Sequence, residues 1–375
     1  MVVFAMVMTS ISPLLVEITA VYKLSLSQSG FIFSANFIGF VIFIFIGGIV
    51  SDLLSKKTVL AVALVGFSFS LLIIQVIPNY MVLCLLMALI GGFGGILESL
   101  VSSLVYEMNP YNTSFCVNMT QVFFGIGALV GPILTSYALS KGVEWSACYT
   151  TAGIASAIVA LLFMFVKIQD VKATENKIFF VKLKKLLIDK KFLLICVCIA
   201  FYTGAEIGCW GWMSTFVKDR LNFSLLESGV AVGVFWITMT LGRLLCGQFT
   251  FKYKPSNIII ALALSSSIIT LVSGISTAKP VAWVVIIFLG LTYSSQWPLI
   301  VSYGGDYCGT SSGIIFSILV GSGGIGTTVV PYFMGVIGQI TNVTFAMASP
   351  AVLLLFVGLI FIYMEKSSSK KAFNY

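Results

Sequence analysis

Ser25-Leu-Ser-Gln-Ser29-Gly30 and Ser224-Leu-Leu-Glu-Ser228-Gly229 carry the same punctuation 199 residues apart. The register holds outward from there. Gly48 falls on Gly247 and Gly91 on Gly290, while Gly125, Gly127 and Pro132 fall on Gly324, Gly326 and Pro331. One constant offset over more than a hundred residues means two halves built on one plan, which leaves few architectures open to so apolar a chain.

Hydrophobic residues make up 59% of the 375 positions and charged residues only 9%, and the mean hydropathy is +1.08. A soluble domain of this length has no way to hide that much apolar surface, so its solvent is lipid. A hydrocarbon layer about 30 Å thick needs roughly 20 apolar residues per helix. Twelve such runs are readable, at 1–22, 29–50, 58–77, 80–105, 114–138, 146–167, 192–217, 226–250, 257–275, 281–302, 311–337 and 345–364. A transmembrane barrel would show alternating segments of about ten residues instead, and these are absent.

Met1 opens directly into the first run, with no basic stretch before it and no small-residue cleavage site after it, so that run reads as a retained helix rather than a signal peptide. With twelve spans and both ends inside, 16 of the 21 basic residues fall on the cytoplasmic side: Lys56, Lys57, the cluster over 167–191, Arg243, Lys252, Lys254 and the tail lysines. Inward-biased positive charge fixes this orientation and accounts for the net charge of +8 without any nucleic acid. The eight cysteines sit in or beside apolar runs, in no metal-like spacing apart from a helical Cys196-x-Cys198, and read as small membrane hydrophobes. Histidine is wholly absent, which removes histidine triads, most zinc sites and histidine proton relays. Nothing approximates a phosphate-cradling glycine-lysine loop, and no nucleophile–base pair appears, so neither an ATP-driven pump nor an enzyme is expected.

The chain therefore divides into a six-helix bundle over 1–167, a polar segment over 168–191, a second six-helix bundle over 192–364 and a tail over 365–375. Lys177-Ile-Phe-Phe-Val-Lys-Leu-Lys-Lys-Leu-Leu alternates basic and apolar residues at helical spacing, which suits an amphipathic helix on the inner leaflet or, more plainly, a solvated linker. Gly48-Ile-Val-Ser-Asp52-Leu-Leu-Ser-Lys56-Lys57, between the second and third runs, resembles the loop signature of the major facilitator superfamily. Leu53 and Ser55 stand where that family has a basic residue and a second glycine. Gly242-Arg243-Leu-Leu-Cys-Gly247, followed by Lys252 and Lys254, is similar to its degenerate counterpart, with Phe251 at the place of Asp52. The resemblance implies an all-α membrane protein of twelve transmembrane helices in two parallel-repeat six-helix bundles. It also implies a conformational latch at Gly48, Asp52, Lys56 and Lys57, with Gly242, Arg243 and Gly247 as its second copy. An anion at Asp52 near the N-terminus of helix 11 would gain about 0.3–1 kcal/mol; an ordinary solvated turn is the other reading of the same residues.

Charges within the spans are few enough that each is informative. Glu206, near the middle of the seventh run, has Tyr202 and Trp210 four residues to either side, a stripe of hydroxyl, carboxyl and indole suited to a polyhydroxylated ligand. No lysine or arginine is expected in its half of the membrane, so Glu206 reads as a group that loads and releases a proton, or as a protonated acid held in an interhelical hydrogen bond. Glu98 follows Gly91 and Gly95 on one face of the fourth run. Asn118 and Gln121, three apart in the fifth run, and the singletons Asn36 and Gln296 are either ligand donors or helix glue. Trp297 lies too deep for an interface anchor and precedes Pro298, where a kink is expected.

Leu97-Glu98 followed by Asn118-x-x-Gln121-x-Phe123-x-x-x-Gly127-Ala128 resembles the fucose and glucose type of proton symporter within the superfamily, and Tyr202-x-Gly204-x-Glu206 with Trp210 and Trp212 is similar to its sugar permeases. That resemblance carries a sugar-pocket role over to Glu98 and Asn118. It also implies an aspartate in helix 1, where this chain has only Thr9, Ser10 and Ser12, which makes Glu206 the natural substitute. Gly127-Ala-Leu-Val-Gly131-Pro132 is reminiscent of a glycine-proline signature of antiporters, or serves as a kink.

The expectation is a secondary transporter taking up a sugar or similar small polar solute with protons by alternating access, with Glu206 and Glu98 as proton-coupling residues. Asn118, Gln121, Tyr202, Trp210, Gln296, Trp297 and Asn36 are its candidate substrate residues. A proton-antiport exporter of drugs or metabolites and a transport-inactive sensor or scaffold on the same fold are the rivals. No cofactor is expected, the energy coming from a proton or sodium gradient. The expected partners are a small-molecule substrate and the lipid bilayer, with no nucleic acid, for a monomer in a bacterial plasma membrane with both termini cytoplasmic.

Overall fold

The computed structural model describes residues 1–76, 79–108, 113–166, 188–249, 252–275, 278–307 and 313–372. Within these it does not describe the side chains at 52, 53, 76, 102, 103, 106–108, 113–119, 121, 247–249, 313–317 and 367–372. The described residues form fourteen α-helices: α1 Val2–Tyr22, α2 Leu26–Leu53, α3 Lys56–Leu72, α4 Tyr80–Met108, α5 Thr113–Ser140, α6 Trp145–Phe165, α7 Lys190–Leu221, α8 Leu225–Phe249, α9 Pro255–Ile275, α10 Lys279–Tyr293, α11 Gln296–Tyr307, α12 Gly313–Ile340, α13 Val343–Ala348 and α14 Pro350–Ala372. They supply twelve segments long and apolar enough to span a membrane, and the bounds follow the twelve apolar runs. The expected interfacial helix over 168–191 lies outside the described residues apart from its last few positions.

The 199-residue register is visible in the backbone itself. Lys23 and Asn222, with φ of 52° and 54°, are the two non-glycine residues in the left-handed region among the described residues. Each is followed by a reciprocal helix cap. Before α2, Gln28 N–H donates to Ser25 Oγ at 3.3 Å and Ser25 N–H donates to Gln28 Oε1 at 2.9 Å. Before α8, Glu227 N–H donates to Ser224 Oγ at 3.2 Å and Ser224 N–H donates to Glu227 Oε2 at 2.6 Å. Two otherwise orphaned donors are satisfied at each start, so the repeated serines mark helix starts.

Two compact units result. One comprises α1–α6 together with Asn222–Gly233; the other comprises α7, α8 from Val234 onward, and α9–α14. In the first, α1 packs on α5, α2 on α4 and α3 on α6. In the second the same pairings recur, with α7 on α12 and α9 on α14. The third pairing is seen in its glycines. A Cβ on Gly91 of α4 would collide with the backbone oxygen of Asn36 on α2, and one on Gly290 of α10 with Thr238 Oγ1 and the Phe235 backbone of α8. Asn36 and Phe235 are again 199 apart. In a lipid solvent such close backbone approach replaces the hydrophobic drive between helices.

The tenth span departs from the expected single helix. α10 stops at Tyr293 and α11 starts at Gln296, so the break falls at Ser294-Ser295 and not at Trp297. Proline acts on the carbonyl four residues before it, by lacking the N–H that would bond it and by steric clash with it. For Pro298 that carbonyl belongs to Ser294.

Candidate functional site

Backbone that leaves helical geometry at membrane depth must find hydrogen-bond partners inside the protein. At the break in the tenth span those partners come from two other helices. The Tyr202 phenol, on α7, donates to the Tyr293 carbonyl at 2.6 Å. Arg243 Nε, on α8, donates to the Ser294 carbonyl at 2.9 Å. Gly242, beside the arginine, lets α8 approach closely, since a Cβ there would lie 2.7 Å from that of Ser294. The Tyr293 ring is fixed in turn by its hydroxyl, which shares a 2.9 Å hydrogen bond with Thr270 Oγ1 on α9.

Glu206 stands one helical turn from Tyr202 and is 8% exposed. Spaced four residues apart, the two side chains lie on one face of α7. The sequence reading placed no cation in this half of the membrane; the structure corrects it. Arg243 is carried inside the apolar span Leu225–Cys246 and not in a cytoplasmic loop. Its long side chain reaches the break, as amphipathic cations do when a polar partner is in range.

The rest of the stripe on α7 is buried with it. Tyr202 is fully buried and Trp210 nearly so, with the Trp210 ring 6.0 Å from that of Trp236 on α8. Trp212 donates from Nε1 to the Pro331 carbonyl of α12 at 3.0 Å. Gln296 is fully buried at the start of α11. Its amide nitrogen donates to Ser266 Oγ at 2.9 Å and to the Thr292 carbonyl at 3.0 Å, which ties the break to α9. Trp297, its neighbour, is 36% exposed. Tyr202, Arg243, Thr270, Tyr293 and Ser294 thus share the hydrogen bonds of the break, and Gln296 ties the start of α11 to α10 and α9 beside them.

The other candidates lie in the first unit. Asn36 is buried and donates to the Met87 carbonyl of α4 at 3.0 Å. Glu98, on α4, is half-buried. Thr135 of α5 donates to Ser10 of α1 at 2.9 Å. The Lys57 ammonium donates to the Met164 carbonyl at 3.2 Å, a cation at the C-terminal end of α6 where the helix dipole favours it. Lys56 opens α3, and Gly48 meets nothing within 4 Å of a would-be Cβ. The side chains of Asn118, Gln121 and Asp52, and the surroundings of Gly247, lie outside the described residues. Among the described residues no group of three or more metal-ligating side chains converges.

Sequence reasoning missed Tyr293, Ser294, Thr270 and Ser266. The available signal was a polar run in mid-span, Thr292-Tyr-Ser-Ser-Gln296, ending two residues before a proline.

This fold and its relatives define the class. The family model of the Major Facilitator Superfamily matches residues 1–319, and the chain belongs to that family. It is 22% identical over 321 residues to a protein TsgA homolog of Buchnera aphidicola subsp. Schizaphis graminum, covering 83% of this chain and 80% of that one. It is 24% identical over 296 residues to a glucose/galactose transporter of Brucella abortus biovar 1, covering 72% and 70%. The crystal structure of the nucleoside transporter NupG superposes with a TM-score of 0.79 at 15% identity, over 97% of this chain and 96% of that one. The protein is a multi-pass membrane transporter of this superfamily and not an enzyme.

Proposed function

We propose that the chain imports a sugar or similar small polar solute together with protons, by alternating access. One observation carries the reading: the Glu206 carboxyl is buried midway along α7, one turn from the Tyr202 phenol that donates to the broken tenth span. Ionisable groups at that depth are costly and serve transport pathways and proton relays. A neutral carboxylic acid tolerates an apolar surrounding that a carboxylate does not. Proton binding at Glu206 therefore lowers the cost of the closed, loaded state, and proton loss on the other side resets the carrier. Glu98 is the second acidic acceptor. Asn118, Gln121 and Trp297 recognise hydroxyl groups and a ring face. The Brucella relative, described as a glucose/galactose transporter, supports a sugar as solute. The inward bias of lysine and arginine supports cytoplasmic termini in a bacterial plasma membrane, and the carrier works as a monomer.

The test is counterflow in proteoliposomes with a panel of labelled sugars, nucleosides and amino acids, with Glu206→Gln beside wild type. The variant is expected to exchange solute but not to concentrate it against a gradient. A variant that accumulates solute as wild type does removes Glu206 from proton coupling. Accumulation driven by the opposite proton gradient would make the protein an exporter.

A further inference from the structure

The polar segment over 168–191 ends in Asp189-Lys-Lys191, and two of these residues close on the far end of α11. We propose that Asp189, Lys191, Tyr303 and Tyr307 form a latch that holds α11 against the root of α7, with the break at Ser294-Ser295 as its hinge. Opening the latch lets α11 swing away as one body, which gives the carrier a gate at one membrane face. Such a gate serves a carrier of any solute, whether or not Glu206 carries a proton.

Asp189 serves both helices at once. One of its oxygens accepts the Phe192 N–H at 2.8 Å, which caps the start of α7. Both oxygens lie within reach of the Tyr307 phenol, at 3.1 and 3.2 Å, and the phenol has a proton to give them. Lys191 sits over the same tyrosine, its ammonium 4.9 Å from the centre of the Tyr307 ring and 5.6 Å from that of Tyr303. Both distances are inside the range of a cation–π attraction. Spaced four residues apart, the two tyrosines offer their rings on one face of α11. Tyr303 is braced in turn by Phe361 of α14, whose ring centre is 5.3 Å away.

The two ends of α11 are held differently. At the hinge the Tyr202 bond to the Tyr293 carbonyl is buried, and Pro298 lacks the N–H that would carry helix bonding across to Ser294. At the tip the Asp189–Tyr307 bond is exposed, where solvent screens charge and each contact is worth only a few-fold in an equilibrium. The twelve residues of α11 make an arm about 18 Å long. A restraint at the tip of such an arm opposes rotation far more than the same restraint beside the hinge. Weak contacts therefore suffice there, and they are easily undone. The seat itself is close-fitting: a Cβ on Gly304 would come 3.2 Å from Ile195 of α7 and 2.9 Å from Leu319 of α12. Any pull along the polar segment over 168–191 arrives at Asp189 and Lys191, on the latch.

Labelling with N-ethylmaleimide in nanodiscs tests the latch on the intact protein carrying Ile300→Cys, a position buried midway along α11, read by mass spectrometry of its peptide. Position 300 lies two turns from the tip, so fraying of the last turn does not reach it. Adding Lys191→Met and Tyr307→Phe together removes the charge and the hydroxyl. Labelling at 300 should then quicken about tenfold, the scale of one exposed cation–π contact and one hydrogen bond combined. Lys191→Arg keeps a cation over the rings and should label as slowly as the intact latch. Native Cys209, fully buried on α7 beyond the break, is the internal reference. A rate at 300 that the double substitution leaves unchanged overturns the proposal. A quickening that Cys209 shares also overturns it, because it marks a loosened fold. Should Ile300→Cys not fold, Val301→Cys, also buried, gives the same reading.

Discussion

Arg243 donates through Nε to the Ser294 carbonyl at 2.9 Å, the carbonyl that Pro298, four residues on, leaves without a donor. A proline in one span and an arginine in another therefore answer a single backbone oxygen. The pairing explains how a guanidinium persists inside the span Leu225–Cys246. Arg243 sits three residues before the end of that span, so the cost of about 2.5–3.5 kcal/mol that insertion scales assign to an arginine at a helix centre does not apply in full, and its charged hydrogen bond offsets part of what remains.

The shared carbonyl makes Arg243 and Pro298 energetically dependent. Arg243→Ala should lower stability by about 1.5–3 kcal/mol, the range for a hydrogen bond to a charged group. In a Pro298→Ala background a restored N–H serves the same oxygen, and the arginine change should cost distinctly less. Melting of the four proteins measures the coupling. Equal losses in both backgrounds would mean that the arginine is there for something else.

The paired glycines should be equally intolerant in the two repeats. A methyl at Gly91 or at Gly290 meets the backbone of a neighbouring helix. Gly91→Ala and Gly290→Ala are each expected to cost about 1–3 kcal/mol by overpacking, against the gain of up to ~1 kcal/mol that alanine brings to a helix. Gly48→Ala, with open space around it, should keep that gain and melt no lower than wild type.

Lys23 holds a left-handed conformation, with φ of 52°, after the last turn of α1. That geometry costs an ordinary side chain about 1–2 kcal/mol and glycine almost nothing. Lys23→Gly should therefore raise the melting temperature, and the β-branched Lys23→Val should lower it. At the matching position the chain already has Asn222, so Asn222→Gly should change stability less than Lys23→Gly does.

Gln296 offers a sharper contrast. Its amide N–H groups are used on Ser266 and Thr292, while its Oε1 is buried without a hydrogen-bond partner. Gln296→Leu removes both the bonds and the orphaned acceptor and should fall within about 1 kcal/mol of wild type. Gln296→Glu sets acceptors against the Thr292 carbonyl and should cost at least about 2 kcal/mol. Thermal melts of the two variants in one detergent give the order.

The sign of the pH response follows from loading outside and release inside. Acidifying the outside raises the fraction of Glu206 carrying a proton, so initial uptake by wild type should rise as external pH falls. Uptake by Glu206→Gln should lose this dependence. Initial rates in proteoliposomes at fixed internal pH measure it.

The spans were legible because each needs an uninterrupted apolar stretch, and that demand is written locally in the chain. The repeat was legible because caps and close contacts constrain single residues such as Ser25, Ser224, Gly91 and Gly290. What joins helices remote in sequence left no periodic trace. Thr270, Tyr293 and Ser266 look like ordinary polar residues of a span until their partners are known. Arg243 resembled part of a loop signature, and its counting with the cytoplasmic cations hid its reach to the break in the tenth span. Pro298 announced an irregularity, but its effect lies at the residue whose carbonyl it cannot bond. Asn36 and Gln296 were ambiguous for a chemical reason, because an amide that recognises a hydroxyl is equally able to staple two helices, and both donate to such staples here.

Carrying the doubling through residue by residue exposes a division of labour. The counterparts of Tyr202, Glu206, Arg243, Ser294 and Pro298, shifted back by the repeat, are Val3, Val7, Ile44, Gly95 and Ser99. There α4 runs unbroken from Tyr80 to Met108. The two copies thus share helix starts and close glycine contacts, while at these five positions only the second carries the tyrosine, acid, base and proline that surround a break. Inheritance supplied two matching frames, and divergence gave a joint to only one of them.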